Sequence, residues 1–210
     1  MIGKTAMRTA NTAQPSRAAT GAAQVLRTLW EREPRLVAFG MLMLALMLPA
    51  LLGLALDARM LRDVNVWVKP MKFSASVALL AFTTAWFIGH LPTERQRSRA
   101  VGAIVWTLIG TGGFEVVYIY LQAALGQASH YNVGDSFHAT MYTMMGIGAL
   151  ILTGTQPALA WQLWKHGQRG LAPAYRLSVL LGLVLTFVLG ATGGVMLGGM
   201  PPPAGAHLPI

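Results

Sequence analysis

From Leu36 to Leu56 the chain reads LVAFGMLMLALMLPALLGLAL, with no charged side chain in the whole run. A helix rises about 1.5 Å per residue, so this run matches the roughly 30 Å hydrocarbon thickness of a bilayer. Four further apolar runs follow, at about 67–91, 100–125, 137–164 and 177–196. Backbone polar groups in hydrocarbon must be satisfied within the segment or by a closed barrel, and runs of this length specify helices. The expected fold is all-α, a polytopic membrane helix bundle of five transmembrane helices over 36–198. The first run is too long for a signal-peptide core and no A-x-A cleavage site follows it, so it is read as a retained span.

Charge sets the orientation. Only 11% of residues are charged, against about a quarter in soluble domains, and those few are clumped. Residues 1–35 hold Lys4, Arg8, Arg17, Arg27, Arg32 and Arg35. The 92–99 loop carries Arg95, Arg97 and Arg99, and the 165–176 loop carries Lys165, Arg169 and Arg176. The 126–136 loop and the segment after residue 197 have no Lys or Arg, while Arg59 and Arg62 of the 57–66 loop are offset by Asp57 and Asp63. Basic residues collect on the cytoplasmic side, which puts the N-terminus in the cytoplasm and the C-terminus outside. Trp86, Trp106, Trp161 and Trp164 then fall at the inner boundary and Trp67 at the outer one. The 1–35 tail is expected to be disordered apart from a short interfacial helix at 22–32 with Trp30 at headgroup level. Residues 199–210 form a Pro/Gly-rich extracytoplasmic tail.

The net charge of +9 flanks apolar runs instead of forming a basic face, so nucleic acid is not an expected partner. The lipid bilayer is. Cysteine is absent, which excludes disulfides, thiolate metal sites and covalent haem attachment. Gly190, Gly194 and Gly198 repeat at four-residue spacing, a small-xxx-small face suited to close packing against another helix of the chain, a membrane-helix partner or a homo-oligomer.

Ionisable side chains inside spans cost roughly 2.5–3.5 kcal/mol on insertion scales and mark a pathway or a paired contact. Lys69, Lys72 and Glu115 are the ones that matter here. Counted from the outer boundary at about 1.5 Å per residue, Lys72 and Glu115 both fall in the outer half, so a Lys72–Glu115 pair between the second and third spans is expected. Glu115, Tyr118 and Gln122 share one helical stripe, and Lys69, Lys72, Ser76 and Thr83 share another. His130, Tyr131 and Asn132 lie at the outer mouth, with Asp135 or Ser136 as N-cap of the fourth span and His138 and Tyr142 just inside it. Two readings stand side by side: a structural ion pair, or a polar pocket open to the outside.

The segments VNVWVKPMKFSASVALLAFTTAWF and FEVVYIYLQAALGQASHYN resemble an uncharacterised family of bacterial multi-pass inner-membrane proteins, across about residues 60–150. Trp67, Lys69, Pro70, Lys72 and Phe73 match its W-x-K-P-x-K-F element; Glu115, Gln122, Gly126, Ser129, His130, Tyr131 and Asn132 match its E-x(6)-Q-x-x-x-G-x-x-S-H-[FY]-N element. The resemblance implies a shared site without a known reaction, and it implies further spans beyond this C-terminus in other members. The expected function is binding of a small polar or anionic ligand, as a transporter-like component or sensor. Lys69, Lys72, Glu115, Tyr118, Gln122, His130, Asn132 and His138 are the candidate ligand-binding residues. The lysines would balance charge, Glu115 would hold or accept a proton, and the mouth residues would orient the ligand. The alternatives are a redox component touching haem b or quinone, and a non-catalytic scaffold. No nucleophile–base set, phosphate loop or HExxH occurs, so neither catalytic residues nor a metal or cofactor is expected.

Overall fold

The structure, a computed structural model, describes residues 17–167 and 170–198. The expected disordered stretch 1–16, Arg169 and the 199–210 tail lie outside the described residues. The chain forms α1 (Arg17–Arg32), α2 (Pro34–Leu56), a hairpin of β1 (Met60–Leu61) and β2 (Val64–Asn65), then α3 (Val68–Ile88), α4 (Thr93–Gln96), α5 (Arg99–Leu125), α6 (Ser136–His166) and α7 (Pro173–Gly198). Of these, α2, α3, α5 and α7 are long and apolar enough to cross a membrane. The fourth expected span is helical throughout as α6, but polar residues such as Thr155 and Gln156 on its buried face make it less apolar than its neighbours.

Local chemistry ends each helix. Glu33 caps α2, with Pro34 in the first helical position where a missing N–H is harmless, and its carboxylate takes both Nε (2.7 Å) and Nη2 (2.8 Å) of Arg35. Ser98 Oγ accepts from Val101 N to cap α5. Gly126, at φ +69°, closes the same helix in the left-handed conformation that glycine adopts without a Cβ penalty. Asp135 caps α6 by accepting from His138 N at 2.9 Å. The 57–66 segment, expected only as a loop, is a two-residue hairpin with Arg62 (φ 51°) and Asp63 (φ 61°) at its centre, the pair of positive φ values that matches strand twist.

The helices pack in series. α2 pairs with α3, α3 leans on α5, α5 on α6, and α6 on α7. The core runs through Leu36, Phe39 and Met43 of α2, Val77, Ala81 and Ile88 of α3, and Val101, Val105 and Leu108 of α5. Gly112 admits it, since a Cβ there would stand 3.3 Å from Val77 Cγ1 and 3.5 Å from Phe39 Cζ. Within the continuous helix α5 it is therefore Gly112 that serves close packing, whereas Gly110 has nothing within 4 Å of an added Cβ. Leu52, Leu79 and Leu189 are more than 60% exposed, as side chains facing lipid would be and as a water-soluble surface rarely tolerates in such number.

Polar contacts between helices are few and specific. Tyr120 Oη donates to the Leu46 carbonyl at 2.5 Å, in the helical turn that Pro49 loosens. Its one proton is thereby spent, so the 3.0 Å contact with Ser74 Oγ has the serine as donor. Deeper in, Gln156 Nε2 reaches Thr155 Oγ1 at 3.0 Å and Thr84 Oγ1 at 3.4 Å.

Gly190 packs within the chain: a Cβ there would meet Thr153 Cγ2 of α6 at 3.2 Å. Gly194 and Gly198 continue along α7 beyond the last residue whose surroundings are described. Substituting Gly190→Val should push α7 off α6 at an overpacking cost of about 1–3 kcal/mol, visible as a melting temperature lowered by several degrees in detergent. Gly182, on the same helix with nothing within 4 Å of an added Cβ, gives the opposite sign: Gly182→Ala should be neutral or stabilising by up to about 1 kcal/mol.

Candidate functional site

A span has apolar residues on both faces, so its few polar side chains reveal what its inward face requires. On α5 the polar stripe turns inward as expected: Glu115 is 2% exposed, Tyr118 5% and Gln122 3%. Glu115 Oε1, Tyr118 Oη and Gln122 Oε1 are buried with no hydrogen-bond partner among the described residues. Each such group costs roughly 1–3 kcal/mol when left unmet; Tyr118 and Gln122, one turn apart, make a long side-chain contact that falls short of a well-formed hydrogen bond, and Glu115 Oε1 has no such neighbour. Tyr118 packs in an apolar cluster with Phe73 of α3, Phe114 and Ile119 of α5, and Met141 and Met145 of α6. Gly148 of α6 leaves the space Glu115 occupies, since a Cβ there would stand 3.1 Å from Glu115 Oε1.

The partner from α3 differs from the expected one. Lys72 is exposed and makes no ion pair among the described residues. Ser76 is exposed as well, and the buried face of α3 runs through Pro70, Ser74, Val77, Ala81 and Thr84 instead. The stripe through Lys69, Lys72, Ser76 and Thr83 is therefore not the inward one, and the Lys72–Glu115 pair is not made. Lys69 is the cation whose charge reaches Glu115, though no direct ion pair joins them. It sits in the first turn of α3, where the helix dipole disfavours a positive charge; helix stability does not explain it.

Lys69 Nζ instead lies 3.0 Å from His130 Nδ1. A charged lysine is donor only, so the imidazole accepts on Nδ1 and carries its proton on Nε2. Ser129 Oγ approaches the same nitrogen at 3.2 Å. Burial, and then the neighbouring Lys69 charge, push His130 down to about 4, against a smaller opposing effect of the Ser129 backbone. The ring is neutral at physiological pH. His130 also packs between Phe73 (6.4 Å between ring centroids) and Tyr142 (6.2 Å), and Tyr131 lies 5.3 Å from Tyr142. Tyr131 has φ +56°, an uncommon conformation for a bulky residue, at the point where the chain folds back over the site.

The remaining candidates form the rim. His138 is tied down, with Nδ1 2.5 Å from Asp135 Oδ2 and Nε2 3.0 Å from Gln127 Oε1. The His138 backbone and ring N–H groups hold the Asp135 carboxyl below its usual range. Asn132 is half-buried. Arg62 reaches the Lys69 field from the hairpin and stands 5.9 Å from the Tyr131 ring centroid. Asp57, gripped by Arg59 Nη2 at 2.6 Å and Trp67 Nε1 at 2.8 Å, locks that hairpin to the start of α3. Arg59 also donates to the Ala124 carbonyl at 3.1 Å, closing the end of α5.

The structure thus gathers Lys69, Glu115, Tyr118, Gln122 and His130 between α3, α5 and α6, fixes His138 at the rim and leaves Lys72 outside. Phe73, Met145, Gly148 and Arg62 join them; only Phe73 carried a signal, as part of the W-x-K-P-x-K-F element. No family model matches the chain, and neither a curated protein nor a solved structure is similar to it at a significant level.

His130 gives a pH dependence with a definite sign. Its folded value lies below the ordinary 6.5, so the unfolded chain binds the extra proton first as pH falls. Stability should be complete above about pH 6.5 and decline as pH drops toward about 4, read from unfolding midpoints in detergent. In His130→Gln that segment of the pH profile should flatten.

Proposed function

We propose that this chain is a five-span protein of the bacterial inner membrane that holds a small polar ligand between α3, α5 and α6, as a transporter-like component or sensor. The fifth span is α6. It has 31 residues, about 46 Å at ~1.5 Å per residue, and packs between α5 and α7, both long and apolar enough to cross. Arg32, Arg95, Arg97, Arg99, Lys165 and Arg176 gather at the end of the bundle where α3 ends and α5 begins. By the positive-inside rule that end is cytoplasmic. The site then lies toward the extracytoplasmic side, as does the end of α7 at Gly198.

The observation that carries the binding reading is the row of three buried, unmet oxygen atoms on α5. Two of them, on a carboxyl group and an amide, accept hydrogen bonds, so the face they present calls for donors. Toward the mouth stand two cations, Lys69 and Arg62, in each other's field, with Asp63 next to Arg62 in the chain and Asp135 at the rim. A ligand with its donors inward and its negative end outward satisfies both halves. The two sequence elements that resemble the bacterial multi-pass family supply this site: Lys69 and Phe73 from one, Glu115, Gln122, Ser129 and His130 from the other.

The test is a thermal-shift series on protein in lipid nanodiscs, with zwitterionic amino acids, betaine, inorganic phosphate and simple amines as probes. A ligand at about a hundredfold its Kd stabilises by ~2.7 kcal/mol. At least one zwitterionic probe should raise the melting temperature of wild type and of Lys72→Met, but not of Glu115→Gln or Lys69→Met. A panel with no response, or equal responses in all four proteins, contradicts the reading.

A further inference from the structure

At the opposite end of the bundle, α1 has an amphipathic pattern that only part of the protein covers. At 100° per residue, Ala22, Val25, Leu26, Leu29 and Trp30 fall on one side and Gln24, Arg27, Thr28 and Glu31 on the other. Leu29 is buried against the bundle, yet Val25 is 51% exposed, Leu26 38% and Trp30 51%. Residues 21–27 are exposed throughout, so the apolar side of α1 extends beyond its contact with α2 and α3.

The C-terminal end of α1 is clamped. The Arg32 guanidinium lies 4.1 Å from the Trp86 ring centroid and donates to the Trp86 carbonyl at 2.8 Å. Gly89 provides the room for that side chain, since a Cβ there would collide with it. Directly after Arg32, the Glu33–Arg35 pair fixes the start of α2. The level of α1 is therefore set by the end of α3, where a bilayer surface would lie if α3 is a span.

We infer that α1 docks on an anionic lipid surface, with Val25, Leu26 and Trp30 seated at the boundary of headgroups and acyl chains. Two observations select lipid over a protein partner. The apolar side continues a belt of exposed aromatic rings at the same end, with Trp106 60% exposed, Trp161 55% and Trp164 60%, the residues that settle at membrane interfaces. The charge around it is complementary to acidic headgroups: Arg27, Arg95, Arg97, Arg99 and Lys165 are exposed there, against the acids Glu31 and Glu94 among the described residues. Basic residues near such a surface draw anionic lipids toward them, and the tether to α2 keeps α1 at high local concentration beside it. The inference rests on reading α2, α3, α5 and α7 as spans, and the experiment separates the two claims.

The chain has no cysteine, so single spin labels can be placed cleanly at Val25→Cys, Gln24→Cys and, as a control within α2, Leu52→Cys. The full chain is reconstituted in phosphatidylcholine vesicles with or without phosphatidylglycerol, and accessibility to oxygen and to a water-soluble nickel chelate is read by electron paramagnetic resonance. With phosphatidylglycerol, the oxygen-to-chelate ratio at Val25 should exceed that at Gln24 several-fold, and the contrast should shrink without it or at high salt. A Val25 label as open to the chelate as Gln24 overturns the docking, provided Leu52 is shielded. A Leu52 label open to the chelate overturns the membrane reading itself. Indifference to phosphatidylglycerol, or protection that needs added protein, overturns the choice of an anionic lipid surface.

Discussion

A carboxyl group among packed helices needs a proton, a cation or hydrogen-bond donors beside it, because an isolated ionised group there loses its hydration with nothing in return. Glu115 is that group, and its surroundings meet the need only in part. Lys69 contributes its field from α3, but its nitrogen is committed to His130. Gly148 on α6 gives up its side-chain volume for the carboxyl, and Phe73, Met141 and Met145 make the neighbouring walls apolar. Tyr118 and Gln122 extend the unmet row along α5. The protein has built space for Glu115 without building its partner, and a structural ion pair therefore does not account for it.

The rest of this end of the bundle keeps these residues in register. Asp57 holds Arg59, Trp67 and, through its carbonyl, Asn65, so the hairpin and the first turn of α3 form one unit. Arg59 passes that rigidity to the end of α5, and the Tyr120–Ser74–Leu46 contacts join α2, α3 and α5 a few turns below. Lys69 and Glu115 thus project from helices held on both sides. The chain from Gly126 to Asp135 closes over them, tied by His130 on one side and by the Asp135–His138–Gln127 contacts on the other.

Much of this was legible in the sequence, and what was not has a physical reason. Run length and hydropathy identified α2, α3, α5 and α7, and the α5 stripe and a cap at Asp135 or Ser136, which the structure gives to Asp135, followed from residue type and spacing. The inward face of α3 did not. Its buried residues, Pro70, Ser74, Val77, Ala81 and Thr84, are small and mostly apolar, and exposed residues such as Leu79 are apolar too, so helical periodicity carries little contrast in so apolar a helix. Spacing of three grouped Lys72 with Lys69, whereas Lys72 turns outward. The sequence places His130 at the mouth as a candidate ligand residue, but its contact with Lys69 is not legible there, because nothing in sequence shows that Lys69 rises to meet it. Gly148 was silent because a space-making glycine has the same letter as any other.

The most direct test is a pair of double-mutant cycles on unfolding free energy in detergent. Lys69→Met with Glu115→Gln should couple by about 0.5–3 kcal/mol, as neighbouring residues do, while Lys72→Met with Glu115→Gln should add within about 0.5 kcal/mol. Coupling through Lys72 and additivity through Lys69 would contradict the placement of Glu115 on which the site depends.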